Sequence, residues 1–202
     1  MLPDIFQLIK KLDSLDYVVE EELATILLLM LKLKKPLLLE GPPGVGKTEA
    51  SQIIASYLNT KLIRLQCYEG LDVNSAVYEW NYQKQLLSIK LTESSALSSA
   101  EKESHIFGDE FLLKIPLLQA ITESDKAPVL LIDEIDRADE EFEAFLLELL
   151  SAYQISIPEM GTIKANHIPI VVLTSNRTRE LSDALKRRCL YYCVPYPEFQ
   201  KE

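Results

Sequence analysis

LLLEGPPGVGKTEA, residues 37–50, is the stretch on which the fold turns. A short apolar run ends in a Gly/Pro turn, and helix-forming residues begin directly after Lys47 and Thr48. Gly44 and Gly46 can enter backbone regions closed to other residues, so main-chain N–H groups can close around phosphate oxygens. The helix that follows points its positive N-terminal end at the same anion. The turn Gly41, Pro42, Pro43, Gly44, Val45 and Gly46 is therefore expected to cradle the phosphates, with Glu49 in the first helical turn behind it. In a GxxxxGKT loop between strand and helix, Lys47 reaches the β- and γ-phosphates and the Thr48 hydroxyl ligates Mg²⁺.

The second part of such a site stands at 129–139, VLLIDEIDRAD. A carboxylate at the end of a buried strand beside the phosphate loop can hold Mg²⁺, and Asp133 is placed for that. Glu134 is then positioned to polarise an attacking water as a general base. This pair favours hydrolysis over phosphoryl transfer to a metabolite. Asn176 follows a further buried run, IPIVVLTS (168–175), where its amide could hold the same water or a γ-phosphate oxygen. Taken alone it reads as a turn residue. A guanine-reading NKxD signature is absent from the sequence, so ATP with Mg²⁺ is expected rather than GTP.

Outward from these motifs the chain alternates short apolar strands with helices. Ile5, Leu8, Ile9 and Leu12 recur at helical spacing, as do Leu23, Ile26, Leu27, Met30 and Leu31. The first 35 residues thus predict two helices before the first strand. Ala50, Ile53, Ile54, Tyr57 and Leu58 continue the helix after the loop, which Asn59 can stop. KLIRLQC (61–67), VLLID (129–133), IPIVVLTS and LYYCVPY (190–196) read as further strands, and Phe142 to Tyr153 as a helix. The pattern predicts one α/β domain over 1–202 with a mainly parallel sheet covered on both faces. Residues 88–108 are Ser/Glu-rich and predict an insertion in which only SIKL resembles a strand. QISIPEMGTIKAN (154–166) predicts a β-hairpin.

Composition narrows the function classes. The sequence holds 21 Lys+Arg against 31 Asp+Glu, a net charge of −10, which argues against non-specific binding to nucleic acid. Leu23 to Leu31, the longest apolar run near the N-terminus, is far short of the roughly 20 residues that span a bilayer. The opening MLPDIFQLIKK lacks the form of a secretion signal. Three cysteines of irregular spacing argue against a disulfide framework, so the expected compartment is the cytoplasm.

TSNRTRELSDALKRRC (174–189) concentrates arginine in this acidic chain. Arg187 and Arg188 precede the last predicted strand and so belong at the end of the sheet away from their own nucleotide. Such guanidinium groups can reach a neighbouring subunit's γ-phosphate, or they can be surface cations satisfied by nearby acids. Tyr68 to Asp72 and Tyr78 to Tyr82 gather aromatic residues, which suit either a client-binding surface or ordinary core packing.

GPPGVGKT, LLIDEIDRAD, the helix and hairpin that follow, and TSNRTRELSDALKRRC together resemble the AAA+ ATPases of the MoxR type. RLQCYEGLD (64–72), YEWNYQKQLL (78–87) and EEFEAFLLELLSAYQISIPEMGT (140–162) are similar to the subgroup that assists maturation of molybdenum-containing carbon monoxide dehydrogenase. The resemblance covers most of residues 17–197. It implies Walker A at Lys47 and Thr48, Walker B at Asp133 and Glu134, sensor 1 at Asn176, and a trans-acting arginine finger at Arg188, with Arg187 the runner-up. It also implies Tyr17 and Val18 beside the adenine, a five-stranded parallel sheet in the order 5-1-4-3-2, an insertion over 79–108, and a hairpin before sensor 1. Members form homo-oligomeric rings, usually hexamers, that remodel a protein client. Here the implied client is a molybdenum hydroxylase or a von Willebrand A-domain assembly factor, with no nucleic acid and no membrane span. A nucleotide-gated assembly module with little turnover is the alternative. The resemblance further implies a small helical lid after the last strand, and the sequence, ending PYPEFQKE, is expected to lack it.

Overall fold

Five short strands run parallel in one sheet in the computed structural model, which describes residues 4–92 and 105–196. They are β1 (Leu37–Glu40), β2 (Leu62–Gln66), β5 (Val129–Asp133), β8 (Ile170–Ser175) and β9 (Leu190–Cys193), in the spatial order β2-β5-β8-β1-β9. Renumbered within the sheet this is the expected 5-1-4-3-2 order. β1 and β5 are buried along their whole length, which is why their sequences read as unbroken apolar runs and not as alternation.

Helices cover both faces. α1 (Ile5–Asp13), α2 (Glu21–Leu33) and α3 (Lys47–Leu58) close a core with Leu37, Leu39, Val129, Leu131 and Val172 on one side. Asp4 caps α1 in a reciprocal arrangement with Gln7, and Asn59 ends α3 in the left-handed conformation at φ 50°. The other face packs against α4 (Val73–Val77), α6 (Pro116–Thr122) and α7 (Glu140–Ala152), with Phe142 and Leu146 fully buried against it. Asp139 caps α7 by accepting the Phe142 N–H at 2.9 Å. α8 (Asp183–Arg188) leads into β9.

Two small antiparallel pairs lie outside the main sheet. β6 (Gln154–Ile157) and β7 (Gly161–Lys164) form the expected hairpin, whose turn uses Gly161 at φ 79°. β3 (Tyr78–Trp80) pairs with β4 (Leu112–Lys114), a ladder too short to leave a sequence pattern. The expected SIKL strand is instead part of a helix, α5 (Tyr82–Thr92). The Asn81 side chain accepts the Lys84 N–H at 3.0 Å and starts that helix, so the four-residue alternation never gains a strand partner. Residues 93–104 of the expected insertion lie outside the described residues. The aromatic groups divide: Trp80 is buried edge-on to Phe107 and Tyr78, whereas Tyr68 and Tyr82 are exposed.

Phe142→Ala should lower unfolding free energy by about 3–5 kcal/mol, because the ring is fully enclosed. Phe6→Ala, on an exposed ring, should stay within about 0.5 kcal/mol of the parent. Urea unfolding midpoints of the two variants check the contrast.

Candidate nucleotide site

Because the five strands are parallel, their C-terminal ends share one edge, and the residues expected to act together meet there. Gly44 and Gly46 both take φ +84°, a left-handed conformation that a side chain would strain, and Gly46 caps α3. Gly41 serves a different need. A Cβ there would lie 2.4 Å from the Val194 carbonyl oxygen, where the chain leaving β9 crosses the start of the loop.

Lys47 is buried and folded under the turn, its Nζ donating to the carbonyls of Gly41 (2.7 Å) and Pro42 (2.6 Å). Burial lowers its pKa below that of an ordinary lysine, against the opposing pull of Asp136, Asp133 and Glu134. Around it opens a cavity of about 430 Å³, lined by Pro43, Thr48, Glu49, Asp133, Glu134 and Asn176 among others.

Asp133 ends β5 and is only 4% exposed. Its Oδ1 accepts the Thr174 hydroxyl at 2.5 Å and the Thr48 hydroxyl at 3.2 Å. Its Oδ2 accepts Arg64 Nε at 3.0 Å and Nη2 at 2.6 Å. The donor set suits a hard cation: a carboxylate beside a hydroxyl, both oxygen ligands of the kind Mg²⁺ takes. A guanidinium already resting on the carboxylate agrees with that.

Glu134 sits at φ 55°, ψ 51°, a left-handed conformation that costs a non-glycine residue about 1–3 kcal/mol and is held here by its surroundings. Its N–H donates to Thr174 Oγ1 at 2.9 Å. Its carboxylate accepts Asn176 Nδ2 at 3.2 Å and pairs with Arg137 Nε at 3.0 Å. Asn176 is held in turn by Asp136, whose Oδ1 accepts the Asn176 N–H at 3.1 Å. The other Asp136 oxygen accepts the Thr178 N–H and hydroxyl at 2.9 and 2.6 Å. Burial pushes the Asp136 carboxyl up, but the hydrogen bonds from Thr178 and Asn176 outweigh it and hold the group below its ordinary value of 3.8.

Tyr17, Val18 and Val45 line a second cavity of about 630 Å³ together with Tyr192 and Tyr196, and Gly46, Lys47 and Glu49 border both cavities. Burial, then the charge of Glu49, raises the Tyr17 hydroxyl to about 12, so it remains a neutral donor. Arg187 and Arg188 are not brought to this edge. They close α8 and precede Leu190, which pairs with Leu37 at the opposite end of β1. Both are exposed, and Arg188 Nη1 donates to the Leu147 carbonyl at 2.9 Å.

Sequence reasoning missed Arg64, Thr174 and Asp136. Each left a signal: a lone arginine inside a strand pattern, a hydroxyl ending an apolar run, and a second aspartate three residues after Asp133. It also missed where Arg177 and Arg179 go. Arg177 pairs with the buried Glu40 at 3.5 Å, and Arg179 with the buried Glu143.

The chain belongs to the AAA domain family, dynein-related subfamily, whose model matches residues 36–189. No curated protein matches it. Among solved structures, one from Cytophaga hutchinsonii, described as a candidate ATPase, superposes with a TM-score of 0.61 at 18% identity. That match covers 97% of this chain and 51% of the other. A point mutant of Thermotoga maritima RuvB gives 0.50 at 21% identity, over 91% and 47% of the two chains. These likenesses show a shared fold, and the chain spans about half the length of the solved structures it matches. Among the described residues no helix is long and apolar enough to cross a membrane.

Asp136→Ala should destabilise the fold by about 2–3 kcal/mol, since it strips a buried site of three hydrogen bonds. A depressed folded-state pKa contributes stability that is complete above the unfolded value and is lost as pH falls through the folded one. The gap between parent and variant should therefore be full at neutral pH and shrink below 3.8, as read from urea unfolding across pH.

Proposed function

We propose that this chain is an ATP-hydrolysing AAA+ core that acts in a homo-oligomeric ring to remodel a protein client. The observation that carries the reading is the 3.2 Å hydrogen bond joining Asn176 to Glu134 on the wall of the phosphate cavity. It sets a carboxylate and a water-orienting amide where a γ-phosphate held by Lys47 would be attacked. When bound, Mg²⁺ supplies charge neutralisation at the phosphate oxygens, and Thr48 and Asp133 are the residues that would hold it.

The chain's own groups then divide the work. Lys47 exchanges the carbonyls of Gly41 and Pro42 for phosphate oxygens. Glu134 accepts the proton of the attacking water as its oxygen bonds to the γ-phosphorus and the bond to the β-phosphate oxygen breaks, giving ADP and phosphate. Asn176 fixes the Glu134 carboxylate, and Asp136 fixes Asn176. Tyr17 and Val18 would flank the base in the neighbouring cavity. Arg188, with Arg187 beside it, would enter the next subunit's site, where an arginine supplied in trans is worth about 10³–10⁵ in rate.

The whole of 1–202 acts in this reading as one core domain in the cytoplasm. The resemblance of 64–72, 78–87 and 140–162 to the MoxR-type subgroup supports a molybdenum hydroxylase, or an assembly factor with a von Willebrand A domain, as client. The net charge of −10 supports a protein rather than a nucleic acid. A nucleotide-gated assembly module with little turnover is the second reading.

ATP turnover per subunit, followed against protein concentration, separates the two. The parent rate should rise cooperatively with concentration. Glu134→Gln should cut it by about 10²–10⁴ with nucleotide still bound, and Arg188→Ala by about 10³ or more. Lys47→Ala should abolish nucleotide binding itself. A flat background rate with ATP bound would leave the gated module.

A further inference from the structure

Arg64 is unexplained by the cradle or the hydrolytic pair. It occupies β2, where Ile63 and Leu65 are buried and the alternate positions face outward. A solvated arginine would suffice at such a position. Instead its guanidinium lies along the wall of the phosphate cavity and places Nε and Nη2 on one oxygen of Asp133, with Nη2 also bonded to the Gln66 side chain. The pair joins a side chain that is 52% exposed to one that is 5% exposed.

The bonding of Asp133 leaves a metal little room. Oδ1 already accepts two hydroxyls, from Thr174 and Thr48, and Oδ2 accepts both N–H groups of Arg64. For the carboxylate to face a divalent cation or its water shell, one donor must withdraw. Thr174 is fixed, being buried and itself accepting the Glu134 N–H, and the Thr48 hydroxyl can keep donating to Asp133 while its own lone pairs face the metal. Arg64, long and half in solvent, can move.

We propose that Arg64 is the resident counter-cation of the magnesium site, a positioning residue that competes with Mg²⁺ for Asp133. It thereby sets the free Mg²⁺ concentration at which nucleotide is held. This rests on the reading of the cavity as a site for ATP with Mg²⁺. Two consequences of opposite sign follow. Without metal, Arg64 neutralises a buried carboxylate and stabilises the fold, since an unpaired buried charge is costly. With metal, it is a competitor, and its removal strengthens Mg²⁺ binding.

The test uses the full chain, its Arg64→Met variant and its Arg64→Lys variant. Binding of a fluorescent ATP analogue is titrated against free Mg²⁺, and thermal unfolding is followed with and without Mg²⁺. In Arg64→Met the Mg²⁺ midpoint should fall by about three- to tenfold, the scale of a half-exposed pair with charge-assisted hydrogen bonds. Its metal-free melting temperature should drop and Mg²⁺ should restore it. Arg64→Lys, a single-point cation, should fold and lie between. An unchanged or raised midpoint would overturn the proposal. If no chain binds nucleotide at any Mg²⁺ level, the ATP reading itself falls, and melting alone decides. A larger Mg²⁺ stabilisation of Arg64→Met than of the parent sustains the competition, and an equal one ends it.

Discussion

One buried carboxylate ties four elements of this structure together. Asp133 stands at the end of β5, between β2 and β8 and facing the first turn of α3. Removing a carboxylate from water costs several kcal/mol unless charge and hydrogen bonds replace the lost hydration. Here the replacement comes from α3 through Thr48, from β8 through Thr174 and from β2 through Arg64. The apolar strands and their backbone ladders set the sheet. A single charge with donors on three sides braces its C-terminal edge, and so the residue suited to hold a metal also ties together the elements around it.

A second acid does for Glu134 and Asn176 what these donors do for Asp133. Asp136 accepts from the backbone of Asn176 and Thr178, so the loop after β8 is pinned to the turn after β5. Glu134 occupies a left-handed conformation between them, and Thr174 holds its N–H. Strain of that kind persists only where neighbours over-determine it. The carboxylate that would act as base is therefore not free to relax into solvent. Its exposed flank is held by Arg137, its inner flank by Asn176.

Much of this was legible in the sequence because the physics was local. A buried parallel strand must be apolar throughout, so β1, β5 and β8 announced themselves as runs, and the glycines of the loop marked where the backbone must turn left-handed. What stayed hidden depended on partners distant in sequence. Arg64 alternates correctly as an outward strand residue, and only the pairing of Gln66 with Asp133 brings it to the phosphate edge. Gly41 reads as part of a phosphate loop, yet the crossing chain at Val194 demands it. Ser88 to Leu91 alternates like a strand, but four residues carry either period, and the Asn81 cap settled it. β3 and β4 are three residues each, shorter than any pattern can register.

The arginines of 174–189 show how charge is apportioned in an acidic chain. Arg177 runs back to Glu40, which is buried at the end of β1, and Arg179 to Glu143 inside α7. Those two neutralise acids the fold has already enclosed, and each braces an element bordering the site. Arg187 and Arg188 differ. They close α8, where cations suit the negative end of a helix, and they have no carboxylate partner among the described residues, although acids outnumber bases by ten. Arg188 instead donates to a backbone carbonyl, a neutral acceptor that a guanidinium can exchange for an anion at little loss. The same logic governs Lys47, whose ammonium rests on two carbonyls of its own loop. Lys47 and Arg188 are thus kept ordered on neutral, exchangeable acceptors, while Arg177 and Arg179 are locked to buried acids.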